Sequence, residues 1–253
     1  KVPIVNIPTT PTSAMNRAGT GLKNPDLDHR MEFFDPKTRP QAILIDDGAL
    51  MTAPDGLILS TATTVFAWAV GAMSLDAVNP LVAGDHAQAF RLALDAYRRL
   101  PDALDDPAPR RDLCLAAFLQ NRAEDDGQTF VLRGPYASNY ACATALHLEY
   151  PNMKQGESTA VVHAATIRLA EGVTSAQAQG PASALGVWRD GMDVAAAAEV
   201  AAASRLPPLR KSVSWDSVDG AAYAPSPADV EPNASPREAT TERTHGERFP
   251  TPV

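Results

Sequence analysis

The chain has 253 residues, with 22 Lys+Arg against 30 Asp+Glu, a formal charge of −8 and a pI near 5.1. That length allows one large domain or two small ones around a sizeable core. The acidic balance argues against nucleic acid or an anionic membrane surface as a partner, because the long-range field repels phosphates.

Two cysteines, Cys114 and Cys142, show no Cys-x-x-Cys or Cys/His spacing. They fit a reducing compartment and provide neither a disulfide framework nor a zinc site. The longest apolar stretch, Gly56 to Met73, is broken by Ser60, Thr61, Thr63 and Thr64. No membrane span and no signal segment are expected from it. The expectation is a soluble cytoplasmic chain.

Residue 1 is lysine, not methionine. Val2–Ile7 is a short β-branched run that reads as a strand entered from something before it, so an upstream piece is expected. A second strand is expected at Ala42–Ile45, and Thr9 to Pro40 between them is polar, rich in Pro, Asn and Asp, and loop-like. Beyond residue 53 the pattern turns helical. Leu57–Met73 is apolar nearly all round and should lie at the centre of a bundle. Pro80–Arg99 is amphipathic, and Arg111–Ala123, Ala137–Leu148, Glu157–Glu171 and Met192–Ser204 follow with the same 3.6-residue rhythm. From Pro225 onward, 6 of 29 residues are proline and few are large and apolar, which predicts an extended or partly disordered tail. The fold class is therefore mainly α: a β segment over 1–52, a helical-bundle domain over 53–224 and a tail over 225–253.

The order of short signatures resembles the iron-containing alcohol dehydrogenases, from the end of their nucleotide domain to the C-terminus. Ile7-Pro-Thr-Thr10 is similar to the family turn whose threonines face the nicotinamide, which implies cofactor contacts at Thr9 and Thr10. Gln41-Ala-Ile-Leu-Ile-Asp46 resembles the strand ending in Asp-Pro, with Asp47 in place of the proline. Leu57–Ala69 resembles the first helix of the helical domain, and Ala77-Val-Asn-Pro80 the opening of the next. Gln155-Gly-Glu-Ser-Thr-Ala160 is similar to His-Gly-Glu-Ala-Asn-Ala, and Asn233–Thr240 faintly to the terminal Asn-Pro-Arg-x-x-Thr. The resemblance implies the fold of the family's C-terminal helical half, NAD or NADP as cofactor and a carbonyl or alcohol substrate.

Two departures stand out. The family's Gly-Gly-Gly-Ser turn, whose amides cradle the dinucleotide pyrophosphate, has no counterpart in this sequence. The family's ion is held by one Asp and three His, a set that suits Fe²⁺ or Zn²⁺. The aligned positions here are Thr64, Trp68, Gln155 and either Ala141 or Cys142. No metal is expected, and the indole of Trp68 should fill the ion's place.

Without an ion, a carbonyl reduction must stabilise the developing alkoxide with preorganised donors or a cation. The polar side chains expected near the site are Tyr140, His147, Tyr150, Lys154 and Gln155. His147 and Lys154 are the candidate catalytic residues, and Thr64, Trp68, Tyr140 and Gln155 the candidate substrate pocket. Asp85-His86 reads as a solvated helix start, His163 as a core histidine, and Asp102–Asp106 and Glu124–Asp126 as solvated helix ends. Pro11-Thr-Ser-Ala-Met15 replaces the family's small Gly-Thr-Gly-Ser run and should crowd the cofactor. The resulting expectation is a metal-free oxidoreductase subunit that reduces a small carbonyl with NAD(P)H. It would work with a separate nucleotide-binding chain or missing upstream domain, with a dimer as one expected assembly. A non-catalytic scaffold subunit and a pocket reused for other biosynthetic chemistry are the alternatives.

Overall fold

A computed structural model describes residues 2–12, 15–23, 26, 30–75, 78–125, 137–150, 152–168 and 175–192. The expected helix from Met192 to Ser204 lies outside them beyond its first residue, and the expected tail over 225–253 lies outside them entirely.

Four short strands precede the helices: β1 (Val5–Asn6), β2 (Gly19–Lys23), β3 (Arg30–Phe34) and β4 (Ala42–Ile43). β1 and β4 pair in parallel, Val5 with Ala42 and Asn6 with Ile43. Hydrogen bonds from Gln41 N to Ile4 O and from Leu44 N to Asn6 O extend this ladder. Both strands are shorter than their sequence patterns predict. The loop expected between them instead contains an antiparallel hairpin, β2 against β3, in register from Gly19–Phe34 to Lys23–Arg30. Gly-Thr-Gly-Leu-Lys carries no β-branched alternation, so its pairing is set by the partner strand rather than by local preference.

The helices are α1 (Asp47–Leu50), α2 (Asp55–Ala72), α3 (Pro80–Arg99), α4 (Pro107–Asp125), α5 (Ala137–Glu149), α6 (Gln155–Arg168) and α7 (Ser175–Ala184). The starts of α1, α3 and α4 carry side-chain caps that satisfy otherwise orphaned amides. Asn79 Oδ1 accepts from both Leu81 N and Val82 N at 3.0 Å, with Pro80 in the first turn. Asp46 accepts from Ala49 N, and Asp106 from Ala108 N, both at 2.8 Å.

α2 is the centre of the bundle, as its all-round apolar surface predicts. It packs against α3, α4 and α6, and buries Ile58, Ala62, Val65, Phe66, Ala69 and Val70. Its 18 residues are long and apolar enough to cross a membrane, but that surface is taken up by neighbouring helices. Phe66 stacks on Tyr97 of α3 at 4.7 Å, and the Tyr97 hydroxyl lies 3.2 Å from Thr63 Oγ1. The α3 stripe runs Val82, Asp85, His86, Ala89, Phe90, Ala93, Ala96 and Tyr97. Asp85 and His86 are thus buried on the stripe, not solvated as the sequence suggests. Arg122 of α4 donates to both Asp85 carboxylate oxygens, which pairs the half-buried charge. Burial pulls the His86 imidazole below its ordinary range against the opposing charge of Asp85. His163 is a core residue as expected, and burial pushes it down to about 4. Burial likewise pushes the Cys114 thiol up to about 12, which makes it inert.

Arg110 ties the turn before α2 to the start of α4. Its guanidinium is fully buried and donates to the carbonyls of Leu50, Ala53 and Leu104 and to Asp55 Oδ1. α7 was not legible in the sequence, because Gly180-Pro181 reads as a break. It forms because Gly180 lets the helix approach the end of α2, where a Cβ would lie 2.3 Å from Met73 O. Gly186 at φ 72° then ends α7 in a left-handed turn, with Val187 N bonded to Ala182 O and Gly186 N to Ser183 O.

α2 and α6 approach each other closely. A Cβ on Gly156 would lie 1.9 Å from the Ser60 carbonyl oxygen, and Gly156 N donates to Ser60 Oγ at 3.0 Å. Backbone cannot yield as a side-chain tip can, so Gly156→Ala should destabilise by about 3 kcal/mol, at the upper end of overpacking costs. Urea unfolding checks this, and an unchanged midpoint would contradict the approach.

Candidate functional site

A cavity of about 300 Å³, a size suited to a small ligand, opens between α2, the α5–α6 turn and the segment after β1. α2 contributes Ser60, Thr61, Thr64 and Trp68, and α4 contributes Ala117 and Gln120. His147 comes from α5, and Met153, Lys154, Gln155 and Gly156 from the turn into α6. Pro11 and Thr12 close the remaining side.

Five sequence-predicted residues therefore meet here: Thr64, Trp68, His147, Lys154 and Gln155. The sixth, Tyr140, does not line the cavity but stands behind it, edge-on to Trp68 at 5.6 Å. Thr9 and Thr10 are not lining residues. Pro11 and Thr12 are the lining residues there. Ala141 and Cys142, the alternatives for a fourth ligand position, are exposed and do not line the cavity.

Sequence reasoning missed Ser60 and Gln120. Gln120 was detectable in principle, since it continues the buried α4 stripe of Leu113 and Ala117 with a polar side chain. Its Nε2 donates to Val65 O at 2.9 Å.

His147 Nδ1 lies 2.7 Å from Met153 O. A carbonyl only accepts, so Nδ1 carries the proton and Nε2 is the variable site. The same bond holds the turn that carries Lys154 and Gln155. Lys154 caps α6: its backbone amide donates to Glu157 Oε2 at 2.9 Å and its ammonium pairs with Oε1 at 3.2 Å. Glu157 thus completes half of a capping box and also matches the lysine charge. The pair is partly exposed, so its contribution to stability is small.

No protein-family model matches the sequence, and no curated protein does. Solved structures do match. An alcohol dehydrogenase from an archaeon of a Red Sea brine pool superposes with a TM-score of 0.65 at 17% identity, covering 79% of this chain and 49% of its own. An iron-containing alcohol dehydrogenase from Corynebacterium glutamicum gives 0.57 at 18% identity, over 73% of this chain and 49% of its own. A sulfoacetaldehyde reductase from Bifidobacterium kashiwanohense, solved with NAD⁺, gives 0.59 at 19% identity, over 79% and 50%.

The chain has the fold of the helical half of iron-containing alcohol dehydrogenases. It spans about half the length of the structures it matches. The fold class expected from the sequence, a helical bundle preceded by a short β segment, is the one observed.

The fold raises the question of an ion, and the donor set answers it. The cavity is lined by one imidazole and by no carboxylate or thiol, and Lys154 brings a positive charge to its edge. Among the described residues, no three His, Cys, Asp or Glu side chains come together in a group that could hold an ion. Thr64, Trp68 and Gln155 supply neither charge nor softness, so these residues do not fit a divalent ion.

Trp68 fills the space beside them and is only 6% exposed. Trp68→Ala should cost about 3–5 kcal/mol and strip the Tyr140 ring of its partner. Thermal or denaturant unfolding checks this, and an unchanged midpoint would place the indole outside the core.

Proposed function

We propose that this chain is the substrate-holding half of an NAD(P)H-dependent, alcohol-dehydrogenase-like reductase of small carbonyl compounds, one that works without a divalent ion. The observation that carries the proposal is the convergence of His147, Lys154, Gln155, Thr64 and Trp68 on one cavity beside Pro11 and Thr12. The neighbours in fold include an NAD⁺-bound reductase, which supports a nucleotide cofactor.

Among the described residues, no glycine-rich turn opens a helix in the way a pyrophosphate requires. The cofactor would therefore be held mainly by another nucleotide-binding unit, and this chain would supply the wall at Pro11 and Thr12. The seat for that unit is the β1–β4 pair. A parallel pair is ordinarily buried on both faces, yet here Val2, Val5, Ile7 and Leu44 are all more than half exposed. A two-stranded sheet is marginal alone and gains stability as the edge of a larger one. This exposed edge supports pairing with a nucleotide-binding unit, whether a separate chain or an upstream domain.

A nicotinamide, once bound, would supply the hydride for the carbonyl carbon. The residues of this chain do the rest. His147, with Nδ1–H fixed on Met153 O, gives a proton from Nε2 of its imidazolium form to the forming alkoxide, is left neutral, and takes the proton back from the alcohol in the reverse direction. The Ser60 hydroxyl, whose oxygen already accepts Gly156 N–H, turns its own hydrogen into a donor beside that oxygen. Lys154 adds only the residual field of a neutralised pair. Trp68 and Met153 exclude water.

A fluorescence titration with NADH tests the proposal, first on the purified chain and then with any polypeptide that co-purifies with it. The isolated chain should show no binding at micromolar concentrations, and NADH oxidation with an added aldehyde should appear only with the second polypeptide. In that complex His147→Gln should lower kcat by about 100-fold or more, the usual worth of a positioned general acid. Micromolar binding by the isolated chain would refute the divided site. No oxidation with the second polypeptide would favour a non-catalytic scaffold.

A further inference from the structure

The wall at Pro11 and Thr12 belongs to the segment that leaves β1, and two buried amides tie that segment to the helix bundle. Asn16 Nδ2 donates to Phe118 O of α4 at 3.2 Å, and Asn121 Nδ2 of α4 donates to Asn16 Oδ1 at 2.6 Å. These bonds join residues 102 and 105 positions apart in the chain. From the other side, Asn6 Nδ2 of β1 donates to Met15 O at 3.0 Å. Met15 is wholly buried in the core, so Met15 and Asn16 are gripped by the strand and by the helix together. Met15 N in turn donates to Thr12 O at 3.3 Å, and this turn joins the clamp to the cavity wall.

The orientation of the asparagine pair follows from its partners. Phe118 O can only accept, so Asn16 points Nδ2 at it and turns Oδ1 to Asn121. Asn121 must then offer its amide nitrogen, and its own buried Oδ1 has no partner among the described residues. A buried acceptor left unpaired costs stability, and two apolar side chains of similar shape would avoid that cost. Apolar contact is non-directional, however, whereas these hydrogen bonds fix Asn16 to one place on α4. That place is interleaved with Ala117 and Gln120, which line the cavity. The clamp therefore sets the Pro11–Thr12 wall against the α4 lining.

We infer that Asn16 and Asn121 are positioning residues, which act through Met15 to hold the Pro11–Thr12 wall in place over the cavity. The inference goes beyond the proposed reductase function. It concerns how the cavity is closed, whatever ligand it takes, and its test uses neither cofactor nor second polypeptide.

Hydrogen exchange of the full chain, followed by NMR, reads the clamp directly. The Met15 amide should be protected in the parent chain. Asn16→Ala should speed its exchange at least about tenfold relative to the Phe90 and Ala93 amides of α3, which report opening of the core. Asn121→Leu is similar in volume and removes only the α4 donor; it should act in the same direction, and it serves should Asn16→Ala fail to fold. The double variant should exceed Asn16→Ala by less than about twofold, because the shared bond is already gone. Trp68, which lines the same cavity, reports the wall itself. With Trp188→Phe and Trp215→Phe as background, acrylamide should quench Trp68 at least about twofold more strongly once Asn16 is alanine. An unprotected Met15 amide in the parent chain would overturn the inference. So would Met15 exchange that does not outpace α3 in the folded variants, or a loosened Met15 with Trp68 quenching unchanged.

Discussion

The contact between Ser60 and Gly156 is the constraint from which the rest of the site follows. No side chain separates α2 from the first turn of α6 there, and a serine hydroxyl satisfies one of the amides that a helix start leaves open. That approach fixes where the α5–α6 turn can lie, and the turn carries Met153, Lys154 and Gln155 into the cavity. His147 then pins the turn from the preceding helix through Met153 O. Loss of the close approach would move three lining residues at once, because backbone positions and not side-chain rotamers set the geometry.

The walls of this cavity and the fold that surrounds it point in different chemical directions. The neighbours in fold include an iron-containing alcohol dehydrogenase, whose name implies an ion. In this chain the cavity is bounded by an indole, hydroxyls, two carboxamides and one imidazole, with a lysine at the edge. Such a lining can orient a polar organic molecule by hydrogen bonds and can move one proton at His147 Nε2. On the function proposed above, oriented neutral donors and His147 would take the part that an ion's positive charge would otherwise play. Tightly oriented donors in a water-poor pocket can do such work, since a hydrogen bond that needs no reorganisation is worth more than its counterpart in water.

Much of this was legible in the sequence because its signals are periodic or covalent. The apolar α2 predicts its own central position, and the α3 stripe and Asn79-Pro80 start are visible as spacing and capping chemistry. Thr64, Trp68 and Gln155 could be placed together only through the order of family-like signatures, yet the cavity they form is real in the fold. The failures share a cause. α7 and the burial of Asp85 and His86 are decided by contacts between distant segments, and the β2–β3 hairpin by a partner strand that its own residues do not announce. Gly180-Pro181 breaks helices in isolation but is tolerated where a glycine meets a carbonyl of another helix. Asp85 looks like a solvent charge until Arg122, 37 residues away, is brought opposite it. Pro11 and Thr12 line the cavity while Thr9 and Thr10 do not, and a loop has no period from which to read such a detail.

The central claim is that this cavity holds its ligand by hydrogen bonds instead of an ion. Elemental analysis of the purified chain after dialysis against Zn²⁺ or Fe²⁺, followed by removal of free metal, tests it most directly. The account predicts well under one equivalent retained, because His147 alone cannot replace the roughly four ligands such ions require. About one tightly held ion per chain, released when His147 is replaced by alanine, would contradict it.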